Sequence, residues 1–181
     1  MGDSMKKIPN ILSAFRILLI PFLLYALLER NHFASATLLV ISGITDTLDG
    51  WIARHFDAIT PLGKILDPIA DKLTQTVLSL TLMLNYVRFW YFFAFILTKE
   101  CVMMILGGQL VRKKVQLEGA KLLGKINTVL FYLIMFILIV FPSLSDQAVF
   151  ILLLIVSVSA LVSGISYLPD YVAYRNQTRS L

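Results

Sequence analysis

Four aspartates stand close together in a chain that is otherwise strongly apolar. Asp46 and Asp49 are three positions apart, and Asp67 and Asp71 are four apart. On a helix, either spacing places both side chains on one face. Carboxylate oxygens bind hard divalent cations such as Mg²⁺, Mn²⁺ and Ca²⁺, and Mg²⁺ commonly completes its shell with phosphate oxygens of a substrate. The pattern therefore predicts a divalent-metal site that takes a phosphate-bearing substrate.

Membrane helices must position these aspartates, because the composition is too apolar for a soluble domain. Of 181 residues, 58% are hydrophobic and 15% are charged, and the mean hydropathy is +0.81. A soluble domain carries about a quarter charged residues. Six apolar segments are each long enough to span a bilayer, and they cover residues 8–28, 33–53, 61–87, 89–111, 122–141 and 147–174. The sequence predicts an all-α integral membrane protein with six transmembrane helices and no separate soluble catalytic domain.

Basic residues concentrate on one side of this predicted bundle. An even number of helices puts both termini on the same side, and the basic residues assigned to it are Lys6, Lys7, Arg54, Lys64, Arg112, Lys113, Lys114, Lys121, Lys125, Arg175 and Arg179. The opposite loops contain Arg30 and Arg88. The positive-inside rule then predicts cytoplasmic termini and an active site that faces the cytoplasm from the cell membrane. Contact with anionic lipid accounts for the net charge of +5, so nucleic-acid binding is not required.

The chain is expected to form one domain. Residues 1–4 read as a cloning remnant before a natural start at Met5, and residues 5–181 as a single membrane domain. The N-terminus lacks the apolar core and cleavage site of a signal peptide. The single cysteine, Cys101, excludes an internal disulfide and is interpreted as a packing residue.

The aspartates have alternative explanations that must be weighed. They can cap helix ends or pair with nearby basic residues, which is the preferred interpretation for Asp57. Paired spacing on two successive helices is a poor arrangement for caps, whereas an antiparallel hairpin would bring all four carboxylates to one end of the bundle, where their repulsion calls for cations or protons. A divalent-ion transporter is the alternative of a different class, although it would need a site near the midplane with access from both sides.

Residues 46–71 resemble the signature of the CDP-alcohol phosphotransferases. The matching positions read Asp46-x-x-Asp49-Gly50-x-x-Ala53-Arg54, then eight residues, then Gly63-x-x-x-Asp67-x-x-x-Asp71. The resemblance implies a six-helix enzyme that transfers a phosphatidyl or similar group from a CDP-linked lipid to an alcohol and releases CMP. It also implies two divalent ions, Mg²⁺ or Mn²⁺, and a homodimer.

The resemblance assigns roles to individual residues. It implies that all four aspartates ligate metal and that Asp71 is also the general base. It implies a cytidine diphosphate pocket lined by Pro9, Asn10, Gly50, Ala53, Arg54, Thr60 and Gly63.

The acceptor alcohol is a separate question, because the signature describes the CDP-linked substrate. The chain as a whole is most similar to bacterial phosphatidylglycerophosphate synthases in IPNILSAFRILLIP, LDPIADKLTQ and GKINT. That similarity implies glycerol 3-phosphate as acceptor, whose phosphomonoester calls for cations. The candidates are Lys99, Arg112, Lys121 and Lys125, with Arg16 also available. Pairing with the adjacent Glu100 is an equal alternative for Lys99.

Two positions depart from that subgroup. This chain has Lys99-Glu100 where many of those synthases have Arg-Glu, and it has Asn127 where they have a second lysine. Asparagine at this position also occurs in the related cardiolipin synthases, whose acceptor is phosphatidylglycerol. Phosphatidylglycerol is therefore the alternative acceptor, followed by inositol phosphate or serine.

Overall fold

The computed structural model describes residues 2–56, 60, 63–112 and 120–166. Within these ranges the protein contains six α-helices, one short 3₁₀ helix at Val87–Phe89 and no β-strand. The helices are α1 (Gly2–Leu28), α2 (His32–His55), α3 (Gly63–Asn85), α4 (Trp90–Arg112), α5 (Ala120–Val140) and α6 (Asp146–Ser166). The predicted all-α class is confirmed for the described residues.

Three helical segments are long and apolar enough to cross a membrane, among the residues that the structure describes. They are Ile8–Leu28, Leu122–Val140 and Asp146–Ser166, with hydropathies of 2.2 to 2.7. About 20 apolar residues are needed to cross the hydrocarbon layer. The chain is therefore a multi-pass helical membrane protein. The helices α2 and α3 do not reach this apolarity by themselves, since each contains two of the aspartates together with other polar residues.

The described residues divide into two compact units, and the first of them comprises residues 1–85. In it α1 packs against both α2 and α3. The turn from α1 to α2 is short: Arg30 adopts a left-handed conformation with φ of 52°. Asn31 then caps α2, because its side chain accepts a hydrogen bond of 3.0 Å from the backbone N–H of Ala34. This tight connection keeps α1 and α2 adjacent.

The interior of the first unit mixes leucines with small polar residues. Leu78 is fully buried, and Ser35 and Ser79 are each only 1% exposed. Buried threonines donate to carbonyls of their own helix, as Thr74 does to Ala70 at 2.9 Å. Small side chains let helix backbones approach closely where lipid provides no hydrophobic driving force. This packing brings α1 against the polar faces of α2 and α3.

The second unit comprises residues 86–181, and in it α6 packs against α4 and α5. Its interior contains Phe93, Met135 and Leu153, all fully buried. Neutral hydrogen bonds join its elements: the Ser159 hydroxyl donates to Asn127 Oδ1 at 2.8 Å, and the Tyr86 hydroxyl donates to the Leu138 carbonyl at 2.9 Å. The single domain expected over residues 5–181 stays a prediction.

A pair of adjacent leucines tests the packing of α6. Leu153 is fully buried, whereas Leu154 is 42% exposed. Leu153→Ala is expected to lower the free energy of unfolding in detergent by roughly 2 kcal/mol, the low end for buried leucine truncations. Leu154→Ala should change it much less, because an exposed side chain leaves no internal cavity. Thermal unfolding of both variants measures the difference, and equal losses would contradict the placement of this helix.

Candidate active site

Three of the four aspartates converge in the first unit. One oxygen from each of Asp46, Asp49 and Asp67 lies within 4.8 Å of the others. The three-residue spacing on α2 places the first two on one face, and Asp67 approaches from the beginning of α3. The sequence predicted this meeting from spacing on two successive helices. We call these three residues the acidic cluster.

A guanidinium group from α1 lies among these carboxylates. Arg16 is only 3% exposed and forms ion pairs with all three members of the acidic cluster. Its Nη2 donates to Asp49 Oδ2 at 2.9 Å. A buried charge requires a partner of this kind, because removing it from water is otherwise very costly.

The acidic cluster has one enclosed side and one open side. The side chain of Asp49 is 5% exposed, whereas those of Asp46 and Asp67 are each 51% exposed. The Ser13 hydroxyl oxygen lies 3.1 Å from Asp49 Oδ2 and 3.1 Å from the Pro9 carbonyl oxygen, so its single proton serves one acceptor at a time. Arg16 and Ser13 together hold Asp49, while the two half-exposed carboxylates remain accessible to a ligand.

Asp71 has a different environment from the acidic cluster. Its Oδ2 accepts a hydrogen bond of 3.2 Å from Nε2 of Gln75, which is 5% exposed. Gln75 Oε1 accepts in turn from Lys72 Nζ at 3.2 Å. An ammonium group only donates, so Lys72 selects the amide oxygen and leaves the Gln75 NH₂ group directed at Asp71. Asp71 also adds its negative charge to the electrostatic field at Asp46.

A second polar contact joins α1 to the beginning of α3. The Thr60 hydroxyl donates to Asn10 Oδ1 at 2.6 Å and accepts from the backbone N–H of Gly63 at 2.9 Å. A Cβ atom on Gly63 would come within 2.7 Å of Asn10 Oδ1 and 3.1 Å of Thr60 Oγ1. Glycine therefore permits the Asn10 side chain to keep this position, and any other residue would push it aside. Three residues predicted to line a nucleotide pocket are brought together here, and Pro9 lies buried beside them.

Two other residues of the predicted nucleotide pocket have only their backbone described. Ala53 and Arg54 belong to the last turn of α2, and their side chains lie outside the described part. Gly50 is half-buried on α2, next to Asp49.

The predicted acceptor residues belong to the second unit. Lys99 on α4 is 12% exposed, and its Nζ pairs with Glu100 Oε1 at 2.7 Å. Lys125 is exposed on α5. Arg112 ends α4 and Lys121 lies in the first turn of α5, but their side chains are outside the described part. The ion pair that was the alternative for Lys99 is thus present.

Sequence reasoning missed the roles of two residues and misplaced a third. Ser13 and Gln75 were not singled out, and Arg16 was considered for an acceptor phosphate rather than for the acidic cluster. A signal was available, because Asn10, Ser13 and Arg16 recur every three positions in an apolar helix and so share a face. For Gln75, the spacing of four from Asp71 was the corresponding signal.

The family model for CDP-alcohol phosphatidyltransferases matches residues 6–163. The chain belongs to this family. The resemblance carried by residues 46–71 is therefore confirmed.

Three relatives share one name. The chain is 35% identical over 128 residues to the CDP-diacylglycerol--glycerol-3-phosphate 3-phosphatidyltransferase of Aquifex aeolicus, which covers 67% of this chain and 69% of that protein. It is 40% identical over 82 residues to the protein of the same name from Rickettsia typhi, covering 44% and 46%. The Escherichia coli K12 protein of that name is 33% identical over 87 residues, covering 46% and 48%. The last two matches span about half of each relative.

The donor set agrees with the divalent-metal dependence of this family. The acidic cluster offers three hard oxygen ligands within 4.8 Å of one another, and two of the three side chains are half-exposed. The Arg16 guanidinium already lies among these oxygens, which shows that they can surround a positive charge. The cluster can therefore hold a divalent ion.

Gly63→Ala tests the contact between α1 and α3. The added methyl group would displace the Asn10 side chain and break its hydrogen bond to Thr60. We expect the KM for the CDP-linked lipid to rise about tenfold, equivalent to about 1.4 kcal/mol, with little change in thermal stability. Gly43→Ala is the matched control, because a Cβ there meets no atom within 4 Å. Unchanged kinetics in Gly63→Ala would remove Asn10 and Thr60 from the nucleotide pocket.

Proposed function

We propose that this protein transfers the phosphatidyl group of CDP-diacylglycerol to glycerol 3-phosphate, giving phosphatidylglycerophosphate and CMP. The observation that carries the proposal is the convergence of Asp46, Asp49 and Asp67 in a chain that matches the family over residues 6–163. The name shared by the relatives supports the choice of substrates.

We assign two Mg²⁺ or Mn²⁺ ions to the site, with the acidic cluster and Asp71 as ligands. Bound divalent ions neutralise a diphosphate and make CMP a better leaving group. The half-exposed carboxylates of Asp46 and Asp67 support entry of an ion from the open side of the cluster.

Asp71 is assigned the proton transfer. The hydroxyl oxygen of glycerol 3-phosphate attacks the phosphorus on the lipid side, its proton passes to Asp71, and the bond to the CMP oxygen breaks with its electron pair. The hydrogen bond from Gln75 Nε2 supports this assignment, because it orients the Asp71 carboxylate. Arg16 pairs with the other three aspartates, whereas Gln75 donates to Asp71.

The nucleotide is assigned to the side of the acidic cluster where α1 meets α3. The residues proposed to contact it are Pro9, Asn10, Gly50, Ala53, Arg54, Thr60 and Gly63. The contacts among Asn10, Thr60 and Gly63 support this placement. The planar fork of Arg54 suits a diphosphate.

The acceptor phosphate is assigned to Lys99, Arg112, Lys121 and Lys125. A phosphomonoester brings nearly two negative charges, and charge-assisted contacts would offset the cost of removing it from water. Asn127, which favoured phosphatidylglycerol as the alternative acceptor, is 6% exposed and accepts a hydrogen bond from Ser159 of α6. A packing role therefore explains this asparagine without a change of acceptor.

The proposed arrangement in the membrane has six spans and both termini in the cytoplasm. The active site then faces the cytoplasm, where CMP and glycerol 3-phosphate are soluble, and the basic loops contact anionic lipids of the cell membrane. A homodimer and a single domain over residues 5–181 complete the proposal.

Metal removal tests the proposed chemistry. CMP release from CDP-diacylglycerol should fall below detection in excess chelator and return with Mg²⁺ or Mn²⁺. Asp46→Ala should weaken metal and CDP-lipid binding, whereas Asp71→Asn should lower turnover by about a hundredfold or more while CDP-lipid binding is kept. Asp146→Asn is the control, since Asp146 is exposed and pairs with Arg88 in the second unit. Full activity in chelator would refute the role of the metal, and equal mild losses would refute the division of roles.

The acceptor is tested by product identification. Glycerol 3-phosphate, phosphatidylglycerol and inositol 1-phosphate are offered separately with CDP-diacylglycerol, and mass spectrometry is expected to detect phosphatidylglycerophosphate. Lys125→Ala should raise the KM for glycerol 3-phosphate about tenfold, because it removes one charge-assisted contact. Arg88→Ala, which removes an exposed arginine, should leave this KM unchanged. Product from phosphatidylglycerol alone would replace the proposal with cardiolipin synthesis.

A further inference from the structure

Arg16 contacts the same oxygens that a metal ion would use. Its guanidinium reaches Oδ1 of Asp46, Oδ2 of Asp49 and Oδ1 of Asp67. An ion such as Mg²⁺ binds carboxylate oxygens at about 2.1 Å. A guanidinium and a divalent ion cannot both occupy the small space between three oxygens, and their like charges repel each other.

The hydrogen bonding of Arg16 is directed almost entirely at the acidic cluster. The two terminal nitrogens bind carboxylates, whereas the buried Nε has no hydrogen-bond partner among the described residues. Leaving a buried donor unpaired is costly. The position of the guanidinium is therefore set by attraction to the three aspartates and not by a network of its own.

Without a counterion, the acidic cluster would be unstable. Three carboxylates within 4.8 Å of one another repel strongly, and Asp49 is nearly excluded from solvent. Arg16 remains charged at any physiological pH, and its fork can bind several oxygens at once. It therefore links the aspartates of α2 and α3 to α1.

We propose that Arg16 is a resident counterion that competes with the divalent ion for the acidic cluster. It preserves the metal site in the metal-free protein, and it must leave these oxygens when an ion binds. Competition lowers the affinity of the site for the ion. The inference rests on the metal dependence contained in the proposed function, and it adds a residue that controls this dependence.

The test measures metal binding directly, in the full chain in detergent. Mn²⁺ alone is titrated into the wild type and Arg16→Gln, and free Mn²⁺ is followed by electron paramagnetic resonance. We expect Arg16→Gln to bind Mn²⁺ about tenfold or more tightly than the wild type. Its melting temperature in chelator should be lower, because the repulsion is unbalanced, and Mn²⁺ should raise that temperature by more than it does in the wild type.

Two further variants keep the test decisive. Arg88→Gln removes an arginine that is 75% exposed and pairs with Asp146, so Mn²⁺ affinity and melting temperature should stay at wild-type values. Arg16→Lys keeps the charge but concentrates it on one compact group, which competes for fewer carboxylates at once. It should bind Mn²⁺ more tightly than the wild type, and it replaces the glutamine variant if that variant does not fold.

The outcomes separate this inference from the proposed function. Equal or weaker Mn²⁺ binding in the Arg16 variants, with tight binding in the wild type, would overturn the competition and leave the metal-dependent reaction intact. No Mn²⁺ binding in any variant would overturn both. Binding that appears only when Arg16 is replaced would support the competition in its strongest form.

Discussion

Negative charge gathered at one point of an apolar helical bundle must be balanced, and the first unit is organised around that requirement. Two carboxylates about 4 Å apart repel by about 4 kcal/mol at an effective dielectric constant of about 20, and the acidic cluster contains three. The approach of α3 to α2 is therefore unfavourable until a cation joins them. Arg16 of α1 provides it. The contact of α1 with both helices thus balances this charge as well as forming a packing interface.

The second unit is held together by different means. Its helices meet through fully buried apolar side chains such as Phe93 and Leu153 and through hydrogen bonds between neutral groups, as in Asn127 with Ser159. A neutral hydrogen bond between membrane helices contributes modestly and does not respond to ions. Divalent ions are therefore expected to change the stability of the first unit much more than that of the second.

Much of this arrangement was predictable from local rules. The spacing of Asp46 and Asp49 fixes a shared face because it depends on helix geometry alone, and the apolar segments located the six α-helices found in the described ranges. Boundaries were less accurate, since α1 begins at Gly2 whereas its apolar segment begins at Ile8. Hydropathy marks the part of a helix suited to lipid and does not mark where hydrogen bonding starts. The shared face of Asn10, Ser13 and Arg16 indicated a polar contact for α1, but it did not show that this face packs against α2 and α3.

The unequal burial of the acidic cluster has a kinetic consequence. Arg16 pairs with all three carboxylates, but Asp49 is nearly buried and also contacts Ser13, so it loses less conformational entropy than the half-exposed Asp46 and Asp67 when a ligand arrives. The immobile carboxylate fixes where a bound cation sits. The two half-exposed carboxylates set how fast it is exchanged with solvent, since water reaches them directly. Position and residence time are thereby controlled by different members of one cluster.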